Sequence, residues 1–137
     1  MNIHYTRDIS TITPVMLQGF FIGWPTPPTP DTHLKILQNS HVAFVAIDTL
    51  SNQVVGFINA ISDGILSAYI PLLEVLPPYQ NQGIGRQLVN LVLAEYKDLY
   101  MIDCCHDESL APYYKKFGAY PGQASLFRHR NSPAFDG

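Results

Sequence analysis

Charged side chains are scarce in this sequence. Lys, Arg, Asp and Glu make up 14% of its 137 residues, whereas hydrophobic residues make up 47%. Such a composition argues against a disordered chain and supplies enough apolar surface for a core. Because two cores would each be small at this length, we expect a single domain over residues 1–137. The tail 131–137 is expected to lie outside the ordered part of that domain.

Basic residues are also few, and they are spread along the chain. Eight Lys and Arg stand against 11 Asp and Glu, for a formal net charge of −3. A protein that holds the phosphates of nucleic acid needs a basic surface, so we expect no nucleic-acid partner. Polar residues and prolines interrupt every apolar run before it reaches bilayer-spanning length, and residues 1–4 do not resemble a signal peptide. We therefore expect a soluble cytoplasmic protein without a membrane partner.

Cysteine is limited to the adjacent pair Cys104 and Cys105. Neighbouring residues are poorly placed for an ordinary disulfide, and two thiols alone cannot complete a zinc site. We expect both cysteines in a buried strand of a reduced protein, with no bound metal. His106 follows directly, but successive residues of a strand point to opposite faces, which argues against a Cys-His nucleophile.

The apolar pattern alternates between strand-like and helix-like segments, which predicts an α/β fold. Strands are predicted over residues 2–7, 41–47, 54–60, 67–76, 99–105 and 123–130. Helices are predicted over residues 13–22, 31–38, 86–96 and 107–117. Four prolines fall within residues 23–30, so this segment is predicted to be a loop. The three middle strands follow one another through short turns, which predicts antiparallel pairing among them.

A glycine-containing loop joins one strand directly to the longest predicted helix. The loop reads Gln80-Asn81-Gln82-Gly83-Ile84-Gly85-Arg86. The first turn of a helix has unpaired N–H groups and the positive end of the helix dipole, and glycines let a phosphate come close to those amides. The pattern therefore favours a diphosphate site, although two glycines before a helix also suit an ordinary turn.

The spacing of Gln80, Gly83 and Gly85 resembles the acyl-CoA loop of the GNAT superfamily of N-acyltransferases, and it lacks the Lys-Ser/Thr of a P-loop. The strand and Pro-x-Tyr element at residues 73–79 resemble the family's preceding segment. Residues 107–119 are similar to its later helix, with departures at Asp107, Tyr113 and Ala119, which stand where the family usually has Asn, Phe and Phe.

This resemblance implies a mixed, mostly antiparallel central sheet flanked by helices, with a splayed gap that takes acetyl-CoA as acyl donor. It implies that the backbone of Leu73 and Val75 pairs with the pantetheine arm and that Tyr114 is the general acid for the departing thiolate. A homodimer is a further expectation from the family. The cofactor-binding residues that it implies are Leu73, Val75, Gln80, Asn81, Gln82, Gly83, Ile84, Gly85, Arg86 and Asp107.

The proton acceptor for the attacking amine is less clearly indicated. Glu74 on the candidate cofactor strand is the preferred base, although a structural pairing of this carboxylate is an equally good interpretation. Asp63, Asp103 and His106 are the alternatives.

Aromatic residues beside the proline loop are candidates for the acceptor site. Phe21 and Trp24 lie where the family's variable acceptor region is expected, and an aromatic wall suits a hydrophobic or cationic amine. Core packing is the alternative interpretation for Phe21.

Together these features predict an enzyme that transfers an acetyl group from acetyl-CoA to a primary amine of a small molecule by direct attack on the thioester. A protein or peptide N-acetyltransferase is one alternative. A non-catalytic acyl-CoA-binding sensor or interaction module is another, since the same loop would serve it.

Overall fold

A computed structural model describes residues 2–136 of the chain. The strands are β1 (Ile3–Thr6), β2 (Val42–Asp48), β3 (Gln53–Ser62), β4 (Ser67–Ile70), β5 (Leu73–Val75) and β6 (Met101–Cys104). The α-helices are α1 (Pro30–Gln38), α2 (Ile84–Glu95) and α3 (Ala111–Lys115). Short 3-10 turns occupy Ile9–Thr11, Pro14–Leu17, Pro77–Tyr79, Glu108–Leu110 and Pro133–Asp136.

The strands form one six-stranded sheet in which β3 is the organising element. The order is β1-β2-β3-β4-β6, and β5 also pairs with β3. All pairings are antiparallel except that of β4 with β6, which is parallel. The predicted α/β fold with a mixed, mostly antiparallel sheet is confirmed.

Both faces of the sheet are covered, as the neighbours Gly56 and Phe57 of β3 show. A Cβ on Gly56 would lie 3.1 Å from the Ile84 side chain and 3.3 Å from that of Leu88, so the missing side chain lets α2 pack close to the sheet. Phe57 points to the other face, because successive side chains alternate. There its ring meets that of Phe20 edge to face, with centroids 5.1 Å apart.

Helix α2 begins where the glycine loop ends. Its N-cap is Gly83, whose φ of +86° is strained for any residue with a Cβ. Its buried residues recur at helical spacing and face the sheet. They are Ile84, Leu88, Val89 and Val92.

The predicted strand over residues 67–76 is interrupted. Strand β4 ends at Ile70 and β5 begins at Leu73, with Pro71 between them. A proline has no N–H to donate to a ladder, so it suits the point where a strand leaves one partner. Strand β4 pairs with β6 and with the end of β3. The three residues of β5 pair instead with Gly56–Ile58 of β3. The predicted gap in the sheet opens where β5 and β6 diverge.

The predicted helix over residues 13–22 is wrong. Only Pro14–Leu17 is helical, as a 3-10 turn, and the chain then passes through left-handed backbone at Gly19 and Phe21. Two left-handed residues two positions apart are incompatible with a right-handed helix. The apolar pattern instead reflects burial of Met16, Leu17, Phe20 and Phe21 in the core without helical geometry.

The C-terminal predictions also need correction. The predicted strand over residues 123–130 is wrong, because this segment has no strand structure. Leu126 and Phe127 are adjacent, so in a strand they would point to opposite faces, and both are exposed. Without this cover β6 is only partly buried, and the predicted burial of residues 99–105 is wrong. Cys104 is half-buried and Cys105 exposed, and both are free thiols.

The predicted helix over residues 107–117 is shorter than expected. It consists of the 3-10 turn Glu108–Leu110 followed by α3, and the chain leaves at Gly118 with a φ of +93°.

The tail predicted to lie outside the ordered part contains the 3-10 turn Pro133–Asp136, while Gly137 lies outside the described residues. Within residues 2–136, no helix has the length and apolar character needed to cross a bilayer.

A histidine is buried in the aromatic cluster on the Phe57 face of the sheet. His33 of α1 is 1% exposed, and its ring lies 4.3 Å from that of Phe57 and 4.9 Å from that of Phe21, centroid to centroid. Among the described residues, neither ring nitrogen has a hydrogen-bond partner. Burial lowers the pKa of His33 to about 4, so this side chain is neutral in the folded protein at physiological pH.

The burial of His33 predicts a specific pH dependence of stability. The unfolded histidine takes up a proton below about pH 6.5, whereas the folded one stays neutral down to about pH 4. Its folded pKa is therefore lowered, and stability falls as pH decreases through this window, by about 1.4 kcal/mol per unit and about 3 kcal/mol in all. We expect His33→Leu to remove this component, measured as the free energy of unfolding in urea between pH 4 and 8.

His4→Leu is the matched control, because His4 is exposed on β1. It should keep the wild-type pH dependence. An identical loss of stability towards acid pH in wild type and His33→Leu would contradict the assignment.

Candidate active site

Two clefts meet beside β5. The larger has a volume of about 990 Å³ and runs between β5, the glycine loop and α3. The smaller, of about 460 Å³, lies in the wedge between β5 and the residues that follow β6. Four residues line both clefts, so molecules bound in the two clefts would meet beside these residues. They are Leu73, Glu74, Leu110 and Tyr114.

Strand β5 has backbone groups on the side of the larger cleft that do not bond to β3. Leu76 donates its N–H to Val55 and Leu72 accepts from Asn59, so the even-numbered residues bond to β3. In an antiparallel pair the alternate residues point the other way, which turns the N–H and C=O of Leu73 and Val75 away from β3. The Val75 carbonyl accepts a hydrogen bond from Nε2 of Gln80 at 2.9 Å, so the strand is tied to the loop.

The glycine loop forms an anion-binding shape at the start of α2. Asn81 and Gly83 have left-handed backbone, with φ of +62° and +86°. Such alternation turns successive N–H groups towards one concavity, next to the unpaired amides of the first helical turn. A Cβ on Gly85 would lie 3.1 Å from the Tyr113 hydroxyl, so glycine keeps that wall open. Arg86 adds a positive charge, with its guanidinium folded back towards Gly83.

The buried carboxylate of Asp48 connects the turn before the glycine loop to β2. The Tyr79 hydroxyl donates to Oδ2 of Asp48 at 2.7 Å, which ties the 3-10 turn before the loop to the end of β2. This hydrogen bond, together with one from the Leu50 N–H, lowers the pKa of Asp48, so the carboxyl is ionised at neutral pH. At the other end of the turn, Gln82 donates through Nε2 to the Pro78 carbonyl at 3.3 Å.

Tyr114 stands at the junction of the two clefts. Burial, with a smaller contribution from Cys104, raises the pKa of Tyr114 to about 12. The phenol therefore carries its proton at neutral pH and can donate it. The ring packs edge to face against Tyr113, with centroids 5.1 Å apart, and is stacked with His106 at 4.6 Å.

Glu74 is held by backbone amides across the cleft. Its Oε1 accepts from the Phe21 N–H at 2.8 Å, and its Oε2 accepts from the Ile22 N–H at 3.4 Å. These two hydrogen bonds give the Glu74 carboxylate partners within the protein. They also connect the left-handed turn at Phe21 to β5. Its role as general base stays a prediction.

The smaller cleft is aromatic and acidic. Phe21 and Trp24, which the sequence predicted as acceptor-site residues, line it with ring centroids 5.1 Å apart, and Phe57 lines it as well. Asp107, predicted to contact the cofactor, lines this cleft and not the larger one. Among the described lining residues there is no Lys or Arg. The chemistry of these walls suits a cationic or aromatic guest.

The alternative bases are placed differently. Asp63 accepts through Oδ1 from the N–H groups of Ile65, Leu66 and Ser67 in its turn, and it lines neither cleft. Asp103 is exposed on β6 and also lies outside both clefts, whereas His106 lines the smaller one.

Some lining residues were missing from the predicted site. Asn90, one turn after Arg86 on α2, could have been found from helical spacing. Tyr113, Lys116 and Phe117 lie in the second motif, close to Tyr114. No feature of the sequence marks Phe57 as a cleft residue, because only the pairing of β3 with β5 brings it to the cleft.

Comparison with known proteins places these features in a family. The sequence model described as the acetyltransferase (GNAT) family matches residues 9–119. The chain is 38% identical over 76 residues to GCN5-related N-acetyltransferase 3, chloroplastic, of Arabidopsis thaliana. That match covers 54% of this chain and 32% of the plant protein, so the chain spans about a third of the length of this curated relative.

Solved structures agree with the family match. A protein of Deinococcus radiodurans R1, provisionally assigned as an acetyltransferase, is 41% identical and superposes with a TM-score of 0.90 over 98% of this chain and 90% of its own. A GNAT family acetyltransferase of Streptococcus pneumoniae TIGR4 shares the fold at 24% identity, with a TM-score of 0.72 over 95% and 98% of the two chains.

The residues of the larger cleft fit the acetyl-CoA that the family uses as donor. A diphosphate matches the concavity of the glycine loop and Arg86, and an amide-containing arm matches the backbone groups of Leu73 and Val75 that do not bond to β3. The described residues contain no group of three or more His, Cys, Asp or Glu that could hold a metal ion.

The Glu74 contact predicts a structural effect that needs no substrate. Glu74→Ala removes the acceptor for the Phe21 amide, and hydrogen bonds to charged groups contribute about 1.5–3 kcal/mol. We expect amide hydrogen exchange at Phe21 to accelerate about 10-fold or more, measured by NMR. Fluorescence of Trp24, the single tryptophan, should shift in the same variant.

Glu74→Gln keeps one side-chain oxygen as acceptor and should show a smaller effect. Glu108→Ala, which removes an exposed carboxylate of the neighbouring 3-10 turn, is the control and should change neither signal. Unchanged exchange at Phe21 in Glu74→Ala would show that the contact does not hold this segment.

Proposed function

Because the chain belongs to the GNAT family of acetyltransferases, we propose that it transfers an acetyl group from acetyl-CoA to a primary amine of a small molecule. The observation that carries this proposal is the junction of a donor-type cleft and an aromatic, acidic cleft at Tyr114. Direct attack of the amine on the thioester needs no covalent enzyme intermediate. It needs the two reactants in line, an unprotonated amine and a proton for the leaving sulfur.

The donor side of the proposal rests on backbone groups. The amides of Gln82, Gly83, Ile84, Gly85 and Arg86 would hold the pyrophosphate, and Leu73 and Val75 would bond the pantetheine arm as an added strand. Acetyl-CoA, when bound, supplies the activated acetyl group. Gln80 and Asn81 shape the loop, one through its bond to Val75 and the other through its left-handed backbone.

Tyr114 is the proposed general acid. Its raised pKa keeps the proton on the phenol at the pH of the reaction, and the residue lines both clefts. A proton given to the departing thiolate prevents the reverse attack of sulfur on the new amide.

The smaller cleft supports a small-molecule acceptor. Its volume of about 460 Å³ is within the range of small-ligand sites, and Phe21 and Trp24 close one side of it. Glu74 and Asp107 put carboxylates in its walls, which favours an acceptor that arrives as a cation. A small volume with aromatic walls supports a small acceptor more than a peptide, for which a longer groove is expected. Cytoplasmic location and homodimer formation stay predictions from the sequence.

Removal of the Tyr114 hydroxyl tests this assignment. We expect Tyr114→Phe to lower kcat by about 10²-fold or more, because the phenol no longer protonates the thiolate, while acetyl-CoA binding stays within about twofold of wild type. The measurement is release of free thiol from acetyl-CoA with a panel of small amines and peptides. Tyr120→Phe is the matched control, since Tyr120 is 89% exposed.

The acceptor panel separates the competing functions. Thiol release with small amines but not peptides supports the proposal, and the reverse preference supports a peptide N-acetyltransferase. Acetyl-CoA binding without thiol release from any acceptor would favour a sensor module. A Tyr114→Phe variant with the wild-type rate would remove the general-acid role.

A further inference from the structure

His106 occupies the wall of the smaller cleft beside the proposed general acid. It follows β6 and precedes the 3-10 turn that leads into α3. Its ring is stacked on that of Tyr114, with centroids 4.6 Å apart and an interplanar angle of 23°. The ring therefore lies beside the proposed general acid in the wall of the smaller cleft.

The hydrogen bond of the ring determines which nitrogen carries the proton. Nδ1 of His106 lies 2.7 Å from the carbonyl oxygen of Asp107. A carbonyl only accepts, so Nδ1 must be the donor and hold the ring proton. In the neutral ring, Nε2 then carries a lone pair and is the basic atom.

We propose that Nε2 of His106 is the proton acceptor for the amine in the acetyl transfer. The inference rests on the proposed function. The competing carboxylates are less suitable: both oxygens of Glu74 accept from backbone amides of the 21–22 segment, and Asp63 and Asp103 line neither cleft. His106 is the remaining alternative that the sequence named, and it lines the cleft.

The proton transfers balance. An acceptor that enters as an ammonium ion gives one proton to Nε2, and the exposed imidazolium passes it to water. The neutral nitrogen then forms a bond to the carbonyl carbon, the carbon–sulfur bond breaks, and the sulfur takes the proton of Tyr114. The second nitrogen proton, lost as the amide forms, goes to Nε2, which releases it to water, and the Tyr114 phenolate takes up one proton from water.

Several titratable groups line the smaller cleft together with His106. They are Glu74 of β5, Cys104 and Cys105 at the end of β6, Asp107 of the same segment and Tyr114 of α3. No Lys or Arg is among the described lining residues. Any cationic charge on the imidazole therefore meets carboxylates and not a second fixed cation.

Two variants separate a base from a packing residue. His106→Phe keeps an aromatic ring over Tyr114 without a nitrogen, and His106→Ala leaves a space at the surface that free imidazole can enter. We expect both to lower kcat/KM for the amine by about 10²-fold or more. Added imidazole should restore part of the rate in His106→Ala and none in His106→Phe. In both variants the decrease of kcat/KM on the acid side should become shallower.

The control is His4→Ala, which removes an exposed histidine on β1 at the opposite edge of the sheet and should react at the wild-type rate without response to imidazole. Affinity for acetyl-CoA, measured by calorimetry, should be unchanged in all variants. A wild-type rate in His106→Phe would overturn the inference and leave a packing role. A slow His106→Ala that imidazole does not restore, with an unchanged pH profile, would also overturn it. Wild-type protein that acetylates no amine would instead overturn the proposed function itself.

Discussion

The site depends on the point between β4 and β5 at which the chain stops pairing with β6. Strand β4 pairs with β6 as far as Ile70, and after Pro71 the chain bonds only to β3. Had the pairing continued, the outward N–H and C=O groups of Leu73 and Val75 would be part of the sheet ladder. Because it stops, those groups stay outside the ladder, although the Val75 carbonyl accepts from Gln80, and the space between the diverging strands becomes the smaller cleft. One change of strand partner thus creates both halves of the site.

The two halves are also mechanically connected. Glu74 belongs to β5, which borders the larger cleft, and its carboxylate holds the backbone of Phe21 in the wall of the smaller one. On the other side of the junction, Tyr114 borders both clefts and carries the stacked ring of His106. In the proposed reaction, contacts between different elements would therefore share the positioning of donor, acid and acceptor, and positioning is a main source of rate.

The success of prediction varied with the range of the interactions involved. The hairpin of β2 and β3 and the glycine loop into α2 were predictable, since each depends on consecutive residues and a repeated apolar pattern. The segment 13–22 was not, because burial of Met16, Leu17 and Phe20 mimics helical spacing while Gly19 breaks the helix. The segment 123–130 failed for a related reason: β propensity alone does not supply a partner strand or a buried face.

By itself the sequence determined the glycine loop that leads into α2, because Gly83 stands at the position before the helix where the backbone is left-handed. It also placed Tyr114 in a motif that identifies its family. Only the tertiary structure decided which other side chains surround that tyrosine. Glu74 reaches a backbone 53 residues away, and the ring of His106 meets Tyr114 because β6 and α3 converge at the cleft. Such contacts follow from strand order and register, which local patterns do not encode.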